Sequence, residues 1–447
     1  MAEPCPSKSH VSRESGENMN VHVLSEAEKI ELRTATHPCF HCGASENARI
    51  HLPIAPECNI QCNYCVRKFD CVNESRPGVV SAVLSPEQAV ERFRKVKETV
   101  PNLTVVGIAG PGDPLANFDQ VKEALQQIRA IDPNITFCLS TNGLMLPFYM
   151  NHMISLGITH VTVTVNTIDS KTGAKIYSHV RYLGKKYTGE EGAALLLQNQ
   201  LSGIRYLSSM GVVVKVNIVL LKGINEDEIE EIVYTVKDCG CGITNIMQLI
   251  PVAGSSFESL GTMSNAELYH IRKSCESMLP QMYHCKQCRA DAIGTLGHDI
   301  SLNFMERDKT AGGKSKKKNA LSGQYRFAVC SKDGTLIDQH FGHAERFLIY
   351  DYDDGEISLA ETRAVDSYCS GPENGEDEEK IKATVNMLSD CSAVLCMRIG
   401  YYPSQFLKNK GIQVITTYHR IEDGIKEAAA QLRTGVPSQA IHGAVAK

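Results

Sequence analysis

The sequence predicts an α/β protein: a parallel sheet made of about six βα units, followed by a small separate α/β domain. Three observations carry this. Short β-branched runs alternate with stretches of helical periodicity from Arg49 to about Met305. The run RDKTAGGKSKKKNALSGQ then breaks the pattern, and the alternation restarts at Tyr325. Parallel strands need crossovers, so this order implies either an incomplete barrel or a doubly wound sheet.

Taken in order, residues 1–36 are polar and are expected to be a disordered N-terminal segment. The opening MAEPCPSKSHVSRESGENMN has no apolar h-region, so no secretory signal is expected. RIHLPIA reads as the first strand. PEQAVERFRKVKETV follows as a helix, with Val90, Phe93, Val96 and Val100 at near-helical spacing. LTVVGIAG, ITFCLST, THVTVTVN, VVVKVNIVLL and TNIMQLI read as buried strands, with FDQVKEALQQIRAI and EDEIEEIVYTVKDC as helices between them. The first domain is placed at residues 37–306. Residues 307–324 carry Gly, Ser and a lysine run between two folded regions, which reads as a flexible solvated linker rather than a nucleic-acid tail. The second domain, 325–447, restarts with YRFAVCS and FLIYDYD, then two helices and the strands AVLCMRI and QVITTY.

Composition narrows the function classes. The chain has 447 residues, a formal charge of -5 and no tryptophan. That mild charge gives no reason to expect nucleic-acid or anionic-membrane binding. No run of about 18 apolar residues suggests a membrane span. Seventeen cysteines in a long chain without a signal point to metal sites or catalytic thiols rather than a disulfide framework, and to the cytoplasm.

The strongest local signal is Cys58-Asn-Ile-Gln-Cys62-Asn-Tyr-Cys65, directly after the first strand. Three thiolates on one tight loop can grip three irons of a 4Fe–4S cube and leave the fourth open. An open iron can chelate the amino and carboxylate groups of S-adenosylmethionine and pass an electron into its sulfonium bond. A structural zinc site would want four ligands in paired spacing, which this loop alone does not supply.

The motif resembles the radical S-adenosylmethionine superfamily, with Tyr64 at its usual aromatic position. GIAGPGDPLAN stands where that superfamily has a glycine-rich loop for the methionine amino group, and Gly110 and Gly112 would let the backbone approach the ligand. A plain β-turn would also use Gly-Pro-Gly-Asp. In THVTVTVN, Thr162, Thr164 and Asn166 share one face and are candidates for ribose or carboxylate contacts, as are Val216 and Asn217 on the next strand.

The resemblance is closer still over residues 37–305. HPCFHC, CNIQCNYCVRKFDCVNESRPGVVS, AGPGDPLAN and HCKQCRADAIGTLG are similar to the NifB family of nitrogenase cofactor maturases. This implies an incomplete (βα)6 TIM-like barrel of the radical type. It also implies two further 4Fe–4S clusters, fused with a carbide from a S-adenosylmethionine methyl group and an added sulfur into an eight-iron precursor. By that resemblance Cys39, His51 and Cys138 would hold one substrate cluster, and Cys71, Cys285 and Cys288 the other. Glu74 would ligate weakly or relay protons. Cys42 rivals Cys39, and Cys39, Cys42, Cys285 and Cys288 could instead form a four-thiolate zinc site. Cys138 and His51 are equally residues that cores bury without any ligand. Cys5, Cys239, Cys241, Cys275, Cys330 and Cys391 read as structural or incidental.

YRFAVCSKDGTLIDQHFGHAERFLIYD is similar to the start of NifX-like domains, which bind cofactor precursors. His340, His343 and Cys369 are candidate cluster contacts, with Cys396 a further one inside an apolar strand. The implied partners are cluster donor proteins, a reductant protein, and NifEN-like and NifX-like carriers. The rival readings are another radical enzyme with auxiliary clusters, and a non-catalytic cluster scaffold.

Overall fold

The computed structural model describes residues 25–67, 70–73, 83–252, 254–285, 288–296, 298–304, 324–331, 334, 336–365, 378–397, 399–417 and 419–434. The chain divides into two units, Met1–Met263 with His270–Arg307, and Ser264–Tyr269 with Asp308–Lys447. Each is described by itself.

The first unit runs α1 (Glu26–Ala35), β1 (Ala48–Pro53), β2 (Ile60–Cys62), α2 (Pro86–Thr99), β3 (Leu103–Ala109), α3 (Phe118–Ile131), β4 (Thr136–Thr141), α4 (Leu146–Ser155) and β5 (Ile158–Thr164). It continues through α5 (Ser170–Ile176), β6 (Tyr177–Tyr182), β7 (Lys185–Tyr187), α6 (Gly189–Ser209), β8 (Val213–Leu220), α7 (Ile229–Asp238), β9 (Ile243–Gln248), the C-terminal part of α8 (Asn265–Cys275, whose residues up to Tyr269 count with the second unit), β10 (Ile293–Thr295) and β11 (His298–Asp299). The main sheet has the order β11-β10-β1-β3-β4-β5-β8-β9. From β1 to β9 neighbouring strands are parallel and follow chain order. A doubly wound sheet reverses its strand order at a switch point, and this one does not. Right-handed crossovers that all advance in one direction put their helices on one face.

The register fixes what the other face carries. His51 pairs with Gly107, Gly107 with Cys138, and Cys138 with His160. Thr162 pairs with Lys215, and Thr164 with Asn217, which pairs with Asn245. Paired residues share a face, and residues two apart in a strand return to it. One face therefore carries Arg49, His51, Cys138, His160, Thr162, Thr164, Lys215, Asn217 and Asn245. The other carries Ile50, Leu52, Val106, Ile108, Leu139, Val161, Val163, Val214 and Val216, nearly all fully buried. The side chain of Val216 thus lies on the apolar face, opposite Asn217, and not with the polar group.

Two further differences from the sequence reading have local causes. Residues 26–35, expected to be disordered, form α1, started by a capping box between Ser25 and Glu28. A hairpin, β6–β7, is inserted before α6 and adds β2 to make a three-stranded sheet. Cys62 faces Tyr177 in that pairing, so the hairpin braces the cysteine loop.

The second unit contains β12 (Gln324–Val329), β13 (Arg346–Asp353), β14 (Glu356–Ala364), α9 (Glu378–Met387), β15 (Ala393–Cys396), α10 (Tyr401–Asn409), β16 (Gln413–Thr416) and α11 (Ile421–Thr434). Its sheet order is β14-β13-β12-β15-β16. One face packs Ala328, Phe347 and Val394 against Ile381, Val385 and Leu407. The opposite face packs Phe327, Val329 and Leu395 against Ile421, Ile425 and Ala428. β14 was not legible because its side chains are mostly exposed, so it lacks the apolar run that marks a buried strand.

Candidate active site

The cysteine loop is built by its backbone. Cys65 N–H donates to the Cys62 carbonyl at 3.1 Å, and Asn63 N–H donates to the Ile176 carbonyl at 2.8 Å. The Gln61 side-chain amide donates to the carbonyls of Cys62 and Cys65 at 3.0 and 2.9 Å. Cys58, Cys62 and Cys65 thereby line one pocket together with Cys71, Asn73, Asp113, Asn142 and Thr164. Burial pushes the Cys58 thiol up to about 11 and Cys62 up to about 12. Burial acts to lower Arg67, but the neighbouring Cys58, Cys65, Cys62 and Cys71 outweigh it and raise its pKa. Arg67 also donates to the carbonyls of Ile60 and Pro111. A permanent cation beside three thiols is the electrostatic environment that thiolate ligation needs.

Tyr64, named from the sequence, donates its hydroxyl to Asn73 Oδ1 at 2.6 Å. Asn73, Asn142 and Asp113, which the sequence did not single out, also line this pocket. The Asn142 amide donates to Cys58 Sγ at 3.6 Å and to Asn59 Oδ1 at 2.7 Å. Asp113, 3 % exposed, accepts from Asn142 N–H at 2.6 Å, from the Thr141 hydroxyl and from Leu115 N–H at 2.9 Å. Burial raises the Asp113 pKa against those bonds. Asp113 stands inside the Gly-Pro-Gly-Asp run, so its place beside two glycines was the available signal.

Those glycines have a packing role in the structure. The Gly110 carbonyl accepts from Cys71 N–H at 3.2 Å. Gly112 N–H donates to the Ala55 carbonyl at 2.8 Å, and Asp113 N–H to the Glu57 carbonyl at 2.7 Å. A Cβ on Gly112 would meet Glu57 O at 1.9 Å, and one on Gly110 would meet Ala55 O at 2.6 Å. Both glycines admit the backbone that leads into the cysteine loop. Gly112 still lines the cavity.

The remaining candidate ligands fall into groups. Cys71 lies with the three-cysteine loop. His51 and Cys138 flank Gly107 in one row of the sheet, and a Cβ there would meet His51 Cδ2 at 2.9 Å. The His51 ring is held by Arg289, whose carbonyl lies 3.0 Å from Nδ1, and burial lowers its pKa to about 4. That is a neutral imidazole, the form that ligates. Cys39 stands with Cys285 and Cys288: burial pushes it up to about 11, Lys215 and Arg49 pull it down, and the other two thiols push it up. The link is made by His284, whose Nε2 is 3.1 Å from the Pro38 carbonyl. Cys42 is exposed, on a short 3-10 turn. Asn217 donates to the Asn73 carbonyl at 2.7 Å, tying β8 to the segment after the cysteine loop. Asn166 is spent on Tyr64 and on Val219 N–H. Glu74 and Cys369 lie outside the described residues. Among the described residues no three His, Cys, Asp or Glu side chains already converge on an ion-sized point.

In the second unit the rings of His340 and His343 lie 4.8 Å apart at a tilt of 42°, His340 capping the 3-10 turn Phe341–His343. His340 Nδ1 accepts from Gly342 N–H at 3.0 Å. Cys396 is fully buried against Cys330 in the core, which makes it a packing residue. Cys239, Cys241, Cys275 and Cys391 are buried as well.

Residues 52–235 match the family model of the radical SAM superfamily, and residues 323–434 match that described as dinitrogenase iron-molybdenum cofactor. The fold and the cysteine loop thus define a radical S-adenosylmethionine enzyme of FeMo cofactor biosynthesis with a C-terminal cofactor domain. The FeMo cofactor biosynthesis protein NifB of Klebsiella pneumoniae is 42% identical over 410 residues, covering 85% of this chain and 87% of that one. The proteins of the same name from Frankia alni and Azotobacter vinelandii are each 38% identical, covering 91% and 86% of this chain and 89% and 86% of theirs. The chain belongs to the NifB family. Among solved structures, SuiB of Streptococcus suis bound to S-adenosylmethionine gives a TM-score of 0.40 at 16% identity, over 53% of this chain and 50% of that one. No described helix is long and apolar enough to cross a membrane.

Proposed function

We propose that this chain is the cytoplasmic maturase that fuses two 4Fe–4S substrate clusters, a carbide from S-adenosylmethionine and an added sulfur into the eight-iron precursor of the nitrogenase cofactor. The observation that carries this reading is the single cavity lined by Cys58, Cys62 and Cys65, beside a sheet face that holds spare soft ligands. The donor set fits a resident cluster: three thiols, a half-buried cation and a side-chain amide directed at Cys58. A 4Fe–4S cluster bound there supplies an open iron to chelate S-adenosylmethionine and deliver one electron to it.

The residues divide the remaining work. Tyr64 locks the loop from beneath. Thr164 and Asn142 offer polar contacts to the adenosylmethionine side of the cavity, and Asp113 fixes the Asn142 backbone. The resemblance alone groups Cys39 with His51 and Cys138, and Cys71 with Cys285 and Cys288; because Cys285 and Cys288 are the thiols that act on Cys39, we assign Cys39, Cys285 and Cys288 to one substrate cluster and Cys71, His51 and Cys138 to the other. A neutral imidazole suits a cluster that must later be released. Glu74 serves as a weak ligand or proton relay. The first unit acts as an incomplete (βα)6 barrel. The second unit, after the linker at 307–324, stores or hands on the product to NifEN-like or NifX-like carriers. Cluster donor proteins and a reductant protein complete the set of partners.

The test is anaerobic reconstitution followed by assay of 5′-deoxyadenosine. Replacing Cys58, Cys62 and Cys65 by Ala should abolish its formation while iron stays bound at the other thiols. Undiminished cleavage in that variant overturns the assignment. Iron binding without any cleavage in the native chain would make it a scaffold.

A further inference from the structure

We propose that Arg49 and Lys215 are the charge partners of an anionic iron–sulfur cluster held by the thiols of Cys39, Cys285 and Cys288, and that they set its reduction potential. This rests on the reading above that these thiols hold a substrate cluster.

Both cations are buried: Arg49 is 2 % and Lys215 6 % exposed. Arg49 donates through Nη1 to the carbonyls of Gly294 and Thr295 and through Nη2 to Cys288 Sγ at 3.0 Å. Its Nε is buried without an acceptor. Lys215 Nζ donates to the Cys39 carbonyl at 3.3 Å, lies 3.9 Å from Met282 Sδ and stands 4.7 Å from the Phe40 ring centroid. Among the described residues neither cation forms a carboxylate salt bridge. Asp299, the carboxylate whose field reaches Arg49, accepts from the backbone of Ile293 and Ser301.

The neutral groups nearby are also donors. Asn245 Nδ2 donates to Cys285 Sγ at 3.5 Å. His37 Nδ1 accepts from Cys39 N–H at 3.1 Å, so in the neutral ring the proton sits on Nε2, which is buried with no acceptor. Two buried cations, Arg49 on Cys288 Sγ and Lys215 on the Cys39 carbonyl, and two unpaired N–H groups thus stand beside the segments that carry these thiols. Buried charge is tolerated when it is paired, and a buried donor without an acceptor is costly. Neutral thiols supply neither compensation. A thiolate-ligated cluster supplies both, as net negative charge and as sulfur acceptors. The potential of such a cluster depends on local charge and on hydrogen bonds to its sulfurs. The gained electron makes it more negative, so a neighbouring cation favours the reduced form.

The experiment uses the full chain with Cys58, Cys62 and Cys65 replaced by Ala, so that the radical site is silent. After anaerobic reconstitution, iron per chain is counted and the EPR signal is followed through a redox titration. The signal lost on adding Cys285→Ala with Cys288→Ala belongs to this site. Lys215→Met should shift that signal's midpoint to a more negative potential, or lose its iron while the metal-free melting temperature holds. Lys215→Arg should restore the native midpoint. Arg49→Lys, which keeps the charge but not the fork, should bind iron with a smaller shift. An unchanged midpoint in a folded, iron-loaded Lys215→Met overturns the inference and leaves the cluster assignment standing. If Lys215→Met does not fold, Lys215→Gln is titrated in its place with the same two outcomes. Zinc in place of iron, or no signal lost in the Cys285/Cys288 variant, overturns the reading on which the inference rests.

Discussion

Asn166, just past the end of β5, donates its side-chain amide to the phenolic oxygen of Tyr64 at 2.6 Å. The same Asn166 accepts from Val219 N–H at 2.8 Å through Oδ1. Tyr64 in turn donates to Asn73 at 2.6 Å. This network therefore joins the cysteine loop, the segment after it, the end of β5 and strand β8. Tyr64→Phe would keep the ring's packing but leave the Asn73 and Asn166 groups buried without this partner, at a cost of about 1–3 kcal/mol each. A lower melting temperature and reduced iron at the radical site are expected. Equal melting and equal 5′-deoxyadenosine yield would show that the hydroxyl does not hold the loop.

Gly112→Ala tests the close backbone approach. The added Cβ would lie 1.9 Å from a backbone carbonyl oxygen, that of Glu57, and backbone gives way less easily than a flexible side chain. The 55–58 segment must move, and with it Cys58. S-adenosylmethionine cleavage should fall at least tenfold, which corresponds to about 1.4 kcal/mol in the barrier, whereas Gly261→Ala, whose added Cβ would meet nothing nearer than Lys222 Cδ at 3.8 Å, should leave the rate unchanged. A fully active Gly112→Ala would refute the packing role.

The metal-free protein should lose stability in acid through its buried histidines. Burial lowers His160 to about 3 and His51 to about 4, against an ordinary 6.5, and His37 in the same direction. The folded state therefore resists protonation while the unfolded chain accepts it. The stabilising contribution is complete above about pH 6.5 and is lost progressively as pH falls toward those folded values, on the order of 2 kcal/mol for His160 alone at about pH 5. Melting temperature measured from neutral pH down to about pH 5 should drop steeply, and less so in His160→Gln. Parallel curves for the two proteins would mean that His160 is not the source.

Chemistry carried by neighbours in the chain was legible in advance. The three-cysteine loop is a local arrangement, and its spacing alone announces three ligands and an open fourth position. The βα alternation announces a parallel sheet, because no other arrangement lets so many short apolar strands be separated by helices. What sequence could not decide is non-local. Strands covered on both faces show continuous apolar runs, so their pattern does not tell which face turns inward. Only the pairing of β1 through β9 puts Arg49, His51, Cys138, Lys215 and Asn217 on one side and sends Val216 to the other. The same holds for Gly112, where flexibility toward a ligand and room for Glu57 look identical in the chain and are separated only by what stands opposite the missing Cβ. Cys39 and Cys288 show the limit most plainly: they are distant in sequence and bear on each other only because the folded chain brings both thiols to the same buried Arg49.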